Sequence, residues 1–136
     1  MPHSLGALTL LVADYDEAIA FFTQGLDFAL LEDSRLDEPG KPGKRWVRVA
    51  PKGAPGSALL LARAATPEQE AAIGRQGGGR VFLFLETHDF WADYRRMQEY
   101  GVQFCEEPRL ESYGTVVVFE DISGNRWDLL QRAAAT

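Results

Sequence analysis

Apolar and polar positions along this chain fall into short runs whose period changes, and the same order of runs occurs twice. Residues 5–13 form an apolar run of strand length. Asp14 follows as an N-cap, and Glu17, three residues on, completes a capping box. Ala18, Ile19 and Phe22 then share one helical face, and Gly25 stands where helices commonly stop. Runs at 28–31, 46–50 and 58–62 have strand length. A loop at 33–44 and a turn at 51–56, both rich in Pro and Gly, separate them. The first unit therefore reads β-α-β-β-β.

Thr66-Pro67-Glu68-Gln69 predicts a short linker helix ending near Gly74, with a hydroxyl N-cap, proline at the first helical position and glutamine at the capping-box position. Gln76-Gly77-Gly78-Gly79 reads as a flexible joint; a phosphate loop is the weaker reading, because no Gly-Lys-Ser/Thr follows. Beyond it the order repeats. A strand at 80–87 leads to a helix at 90–100 with Phe90, Tyr94 and Met97 on one side and Gly101 as terminator. Strands at 102–105, 115–119 and 126–130, a loop at 108–113 and a turn at 121–125 complete the unit, and 133–136 is expected to fray. The count is eight strands and three helices, an α+β chain. Its parts are a first module at 5–63, a linker at 64–79 and a second module at 80–131. Asp14 and Asp89 lie 75 residues apart, and Gly25-Leu26-Asp27-Phe28 lies 76 before Gly101-Val102-Gln103-Phe104. A repeat of this kind implies two copies of one supersecondary unit, with function expected where they meet.

Composition narrows the function classes. A chain of 136 residues fits one domain with a sizeable core. Fourteen basic against twenty acidic residues give a net charge of -6, which argues against nucleic acid and anionic membranes. No apolar run reaches the roughly 20 residues of a membrane helix. Met1-Pro2-His3-Ser4 lacks the basic and apolar regions of a signal peptide. One cysteine, Cys105, excludes an internal disulfide and suits a reducing cytoplasm, the expected location. Cys105 is expected to be buried beside Phe104.

Several segments together resemble the vicinal oxygen chelate superfamily, which includes glyoxalase I, bleomycin-binding proteins and extradiol dioxygenases. They are 14–28, Arg45-Trp46-Val47-Arg48-Val49, Tyr113-Gly114 and Phe119-Glu120-Asp121-Ile122-Ser123-Gly124-Asn125-Arg126-Trp127-Asp128-Leu129. The last is similar to the family's closing hairpin, and the resemblance covers residues 5 to 131. It implies two βαβββ modules packed edge to edge into a curved mixed sheet around a cleft, usually in a homodimer.

Metal-using members place a histidine on the first strand of each module, seven residues before the helix-starting Asp, and a carboxylate or similar group on the last strand. Counting to those positions reaches Ala7, Phe82, Leu60 and Asp128. Only Asp128 can bind a metal, and a divalent transition metal wants about three or four such ligands. The resemblance therefore implies no metal and no cofactor. His3 and His88 read as exposed or capping groups. Strand alternation puts Phe82, Phe84 and Glu86 on the side facing the cleft, and Asp128 on the matching side of the last strand. Two carboxylates at a partly apolar cleft can act as acid, base or anchor; the competing expectation is a structural ion pair with Arg45, Arg48 or Arg126. Ala7, Thr9, Leu11, Leu60, Phe82, Phe84 and Trp46 supply apolar wall, while Tyr113, Arg109 and Arg35 sit in loops at the mouth. The candidate ligand-binding set is thus Thr9, Trp46, Arg48, Leu60, Phe82, Phe84, Glu86, Tyr113 and Asp128.

The leading expectation is metal-independent binding of a small, largely apolar or aromatic molecule in the inter-module cleft, as in members that sequester antibiotics. The alternative is a glyoxalase- or dioxygenase-like lyase or isomerase using Asp128 and Glu86. A third reading is a module that keeps the fold for dimerisation alone.

Overall fold

The computed structural model describes residues 2–36, 39–53 and 56–134. Asp37 and Glu38 of the expected loop, Ala54 and Pro55 of the expected turn, and the last two residues of the expected tail lie outside that set. The chain divides into two compact units, Met1–Ile73 and Gly74–Thr136. No helix among the described residues is long and apolar enough to cross a membrane.

In the first unit, β1 (Ala7–Val12) leads into α1 (Tyr15–Ala20), followed by β2 (Phe28–Arg35), β3 (Arg45–Pro51), β4 (Ala58–Arg63) and α2 (Pro67–Ala72). The sheet order is β1-β4-β3-β2, with β1 parallel to β4 and the other pairs antiparallel. Asp14 caps α1 by accepting from the Glu17 amide at 2.8 Å, satisfying one of the amides that a helix start leaves unpaired. The helix does not end directly at Gly25. It widens into a π-helical turn, Phe21–Gly25, which buries both Phe21 and Phe22 with their rings edge to face at 5.2 Å. Leu10, Val12, Val47, Val49 and Leu61 are at most 1% exposed and alternate along their strands with less buried residues. Full burial of such a side chain contributes about 2 kcal/mol.

The expected loop at 33–44 begins later than the pattern suggested. Asp33, Ser34 and Arg35 continue β2 by pairing with Val47, Trp46 and Arg45. Backbone pairing and the Arg45–Asp33 ion pair, at 2.7 Å, carry a polar segment that has no apolar alternation of its own.

In the second unit, β5 (Val81–Glu86) precedes α3 (Phe90–Tyr100), β6 (Gln103–Phe104), β7 (Arg109–Glu111), β8 (Gly114–Glu120) and β9 (Arg126–Arg132). The order is β5-β9-β8-β6, with β7 pairing β8 off that path and β5 parallel to β9. Each unit therefore has a mixed sheet, and the fold is α+β as expected. The strand count is not eight: the loop expected at 108–113 contains β7, so nine strands are present among the described residues. Asp89 caps α3 through the Ala92 amide, and Gly101 ends it at φ 102°, a left-handed conformation that favours glycine. Phe90, Met97, Phe119, Trp127 and Leu129 are buried, with Phe119 stacked on Trp127 at 5.7 Å. Cys105 is exposed, contrary to expectation, because β6 stops at Phe104 and leaves it beyond the strand.

The Asp-x-x-Gly-Asn turn between β8 and β9 is held by one carboxylate. Asp121 is 5% exposed. Its Oδ1 accepts from the amides of Ser123, Gly124 and Asn125 at 2.9–3.0 Å. Its Oδ2 accepts from the Trp127 indole at 2.9 Å and the Asn125 amide group at 3.3 Å. The most motif-like stretch of the sequence is thus architectural.

Candidate functional site

Register places most of the expected site residues in one row on each sheet. In the first unit Thr9 lies opposite Leu60, Leu60 opposite Arg48, and Arg48 opposite Glu32. Directly paired residues share a face, so Thr9, Leu60 and Arg48 stand side by side, with Trp46 two residues along β3. Glu32 closes the row: its Oε1 accepts from Arg48 Nε at 3.1 Å and from the Trp46 indole at 3.1 Å. Arg48 and Trp46 are therefore held by Glu32, a residue outside the expected set. Had β2 been extended past residue 31, alternation would have set Glu32 beside them.

In the second unit Phe84 lies opposite Asp128, and Asp128 opposite Val118. Phe84 is 63% exposed. Val116 and Leu130, two residues along on the same face, are buried and give the row an apolar flank. Phe82 is half-buried at the start of β5, next to an irregularity in the β5–β9 register.

Asp128 is the exceptional group. Its Oδ1 is buried and has no hydrogen-bond partner. Burial raises its pKa above the ordinary carboxylate value; the nearby Arg109 guanidinium opposes that shift and the Glu106 carboxylate adds to it. Arg109, expected in a loop, is on β7 and is already engaged. Its Nε donates to Glu106 at 3.0 Å and its Nη1 to Glu111 at 2.8 Å, and it also hydrogen-bonds Tyr113. Glu106 in turn accepts from the Val118 amide at 3.1 Å, fixing it to β8. No spacing signal pointed to Glu106.

The remaining expectations separate from this row. Glu86 lies opposite Leu130, further along the same strand face, and is ion-paired with Arg132. It lines a cavity of about 310 Å³ with Thr87, His88, Gln131 and Arg132. The arginines found beside the two carboxylates are therefore Arg132 and Arg109, not Arg45, Arg48 or Arg126. Tyr113 is exposed on the β7–β8 turn, where its carbonyl accepts from the Ala133 amide at 2.8 Å. His3 and His88 are exposed.

These residues do not fit a divalent metal. Ala7, Leu60 and Phe82 offer no donor atom, and Asp128 is a single carboxylate. Among the described residues no group of three or more His, Cys, Asp or Glu could hold an ion. The arrangement instead places an exposed aromatic ring beside a half-buried carboxyl group whose Oδ1 is enclosed and has no hydrogen-bond partner.

Comparison with known proteins agrees with this architecture. The chain is 55% identical over 131 residues to an uncharacterised protein of Shewanella frigidimarina, covering 96% of this chain and 95% of that one. Among solved structures it is similar to UcmS2, at 31% identity and TM-score 0.79 over 96% of this chain and 98% of that one. It is also similar to TnmS3, described as an antibiotic binding protein from Streptomyces sp. CB03234, at 32% identity and TM-score 0.73 over 98% of both chains. The model of one family matches residues 4–129. With that match spanning both βα units, the chain belongs to the Glyoxalase/Bleomycin resistance protein/Dioxygenase superfamily.

Proposed function

We propose that the protein binds a small, largely apolar or aromatic molecule without a metal, using the row that carries Phe84 and Asp128. The observation that carries this reading is the pairing of an exposed ring with a carboxyl group whose Oδ1 is unpartnered. Phe84 supplies a face for stacking, worth about 1 kcal/mol beyond the area it buries. Asp128 supplies a hydrogen bond: ionised it accepts from a ligand donor, and protonated it donates. Trp46, 38% exposed beside Leu60 and Arg48, offers a second aromatic surface in the first unit. The likeness to a protein described as antibiotic binding supports the binding of a small molecule.

A thermal-shift screen of planar polyaromatic compounds, with and without a chelator, tests the reading. Binders are expected to raise the melting temperature equally in both conditions. Phe84→Ala is expected to weaken binding about tenfold or more while leaving the unliganded melting temperature nearly unchanged, since the ring is exposed. Loss of binding on chelation, or unchanged affinity in Phe84→Ala, would overturn it. The lyase or isomerase alternative is less well supported, because the Glu86 carboxylate is engaged by Arg132 at the end of the sheet.

A further inference from the structure

The segment joining α2 to β5 plays no part in the ligand row, yet it builds a cavity of its own. The glycine run is tethered at two points rather than slack. Gln76 donates its amide to Asn125 Oδ1 at 3.2 Å. Gly74, at φ 76°, sits so close to the β8–β9 turn that an added Cβ would lie 2.3 Å from the Ser123 carbonyl oxygen. Between these anchors and β5 the chain makes two successive tight turns, Gly78 amide to Arg75 carbonyl and Arg80 amide to Gly77 carbonyl, both at 3.1 Å. Gly78 and Gly79 take positive φ values of 64° and 91°, which side-chain-bearing residues rarely adopt.

The resulting cavity, about 240 Å³, is lined by this run together with Arg75, Arg80, Arg126, Glu120 and Asn125. All three arginines are exposed. None forms an ion pair with a described residue, whereas Arg45, Arg48, Arg96, Arg109 and Arg132 each do. Glu120, opposite Arg126 in the β8–β9 register, is the one carboxylate in the lining. Three guanidinium groups against one carboxylate leave a net charge of +2 around the cavity, in a chain whose net charge is -6.

We propose that this cavity binds a small phosphate-bearing anion, either inorganic phosphate or a small phosphomonoester. A phosphomonoester carries about −1.5 to −2 charge at neutral pH, close to the local excess of positive charge. Guanidinium forks bind phosphate oxygens in pairs, and several forks around one centre favour phosphate over a carboxylate, which has only two oxygens to share. Glycine backbone lets an anion approach without a Cβ in the way. The volume lies below the roughly 300–1,000 Å³ of pockets for drug-sized ligands, so a compact anion suits it better than a nucleotide. This site is separate from the row bearing Phe84 and Asp128 and stands or falls without it.

The test is an amide NMR titration of the full chain at low ionic strength, where screening is weak, with inorganic phosphate, glycerol phosphate and acetate in separate arms. Saturable shifts at Gly77, Gly78 and Gly79 are expected with phosphate and not with acetate. Tighter binding of glycerol phosphate than of phosphate would identify an ester as the natural form, and the reverse order the free ion. Arg80→Gln and Arg126→Gln, both exposed substitutions, are expected to weaken binding about tenfold or more each, while Phe84→Ala leaves it unchanged. Unsaturable shifts in both phosphate arms, or variants that bind like the unaltered chain, would overturn the proposal.

Discussion

In the first unit the carboxylates beside the candidate row are held by arginine: Asp33 by Arg45 at 2.7 Å and Glu32 by Arg48 at 3.1 Å. The hydrogen bond from Arg45 favours the ionised form and lowers the Asp33 pKa. In the second unit two carboxylates of the β8–β9 hairpin, Asp121 and Asp128, differ in their partners. Asp121 is buried and surrounded by donors, while Asp128, seven residues later, is half-buried with its Oδ1 unpartnered; burial raises the pKa of both. The same scaffold thus disposes of its charges in two ways. The fully partnered carboxylate serves the fold, and the incompletely partnered one is the group we propose for the ligand. Duplication of the sheet did not duplicate the chemistry on its face.

The strongest way to break that contrast is Asp121→Ala, which removes the acceptor of five hydrogen bonds inside the second unit. A loss of about 4 kcal/mol is expected, because several buried donors are left unpaired. Urea unfolding measures it, and a loss below about 1 kcal/mol would show that the turn does not depend on its carboxylate.

Asp128→Leu sharpens the contrast with the opposite sign. Replacing an incompletely partnered, partly buried carboxylate by an apolar group of similar size is expected to stabilise the protein by about 1 kcal/mol at neutral pH. Because the folded pKa of Asp128 is raised above 3.8, the native state holds the proton more tightly than the unfolded chain. Its penalty is absent below the unfolded value and complete above the folded one. The gain of the variant should therefore vanish near pH 3 and grow as pH rises through that window. A gain that does not vary with pH would mean that Asp128 is not the titrating group.

The smallest effect is expected for Asp33→Asn, at most about 1 kcal/mol, since the Arg45 pair lies at the surface. Here the folded pKa is lowered below 3.8, so the contribution is present above the unfolded value and is lost as pH falls through the folded one. The two pH profiles should run in opposite directions. Matching slopes in the two variants would erase the distinction between the units.

Much of this architecture is legible in the chain itself, and the parts that are not share a cause. The capping residues Asp14, Thr66 and Asp89 all accept from the amide three residues on, because capping depends on neighbours along the chain. Alternation puts Phe84 and Glu86 on one face of their strand; that Thr9, Leu60 and Arg48 stand in one row, and Phe84 beside Asp128, comes from strand register. By contrast Arg109-Leu110-Glu111 follows a proline and has a polar pattern; it becomes a strand only through pairing with Thr115 and its neighbours. The polar half of β2 likewise needs β3 beside it. Glu106 gave no signal at all, since its role comes from reaching the Val118 amide and Arg109 at once.

The doubled βα order, the helix starts, the faces of the strands and the lack of ligand-type side chains at Ala7, Leu60 and Phe82 can be read along the chain. These follow from steric preferences and periodicities that act within a few residues. Which charges are partnered depends instead on the folded arrangement. It put Arg132 on Glu86, 46 residues away in the chain, left Asp128 Oδ1 without a donor, and gathered Arg75, Arg80 and Arg126 around one glycine-lined cavity. The partner of a long, flexible side chain is set by strand register and through-space distance, and neither is encoded in local spacing.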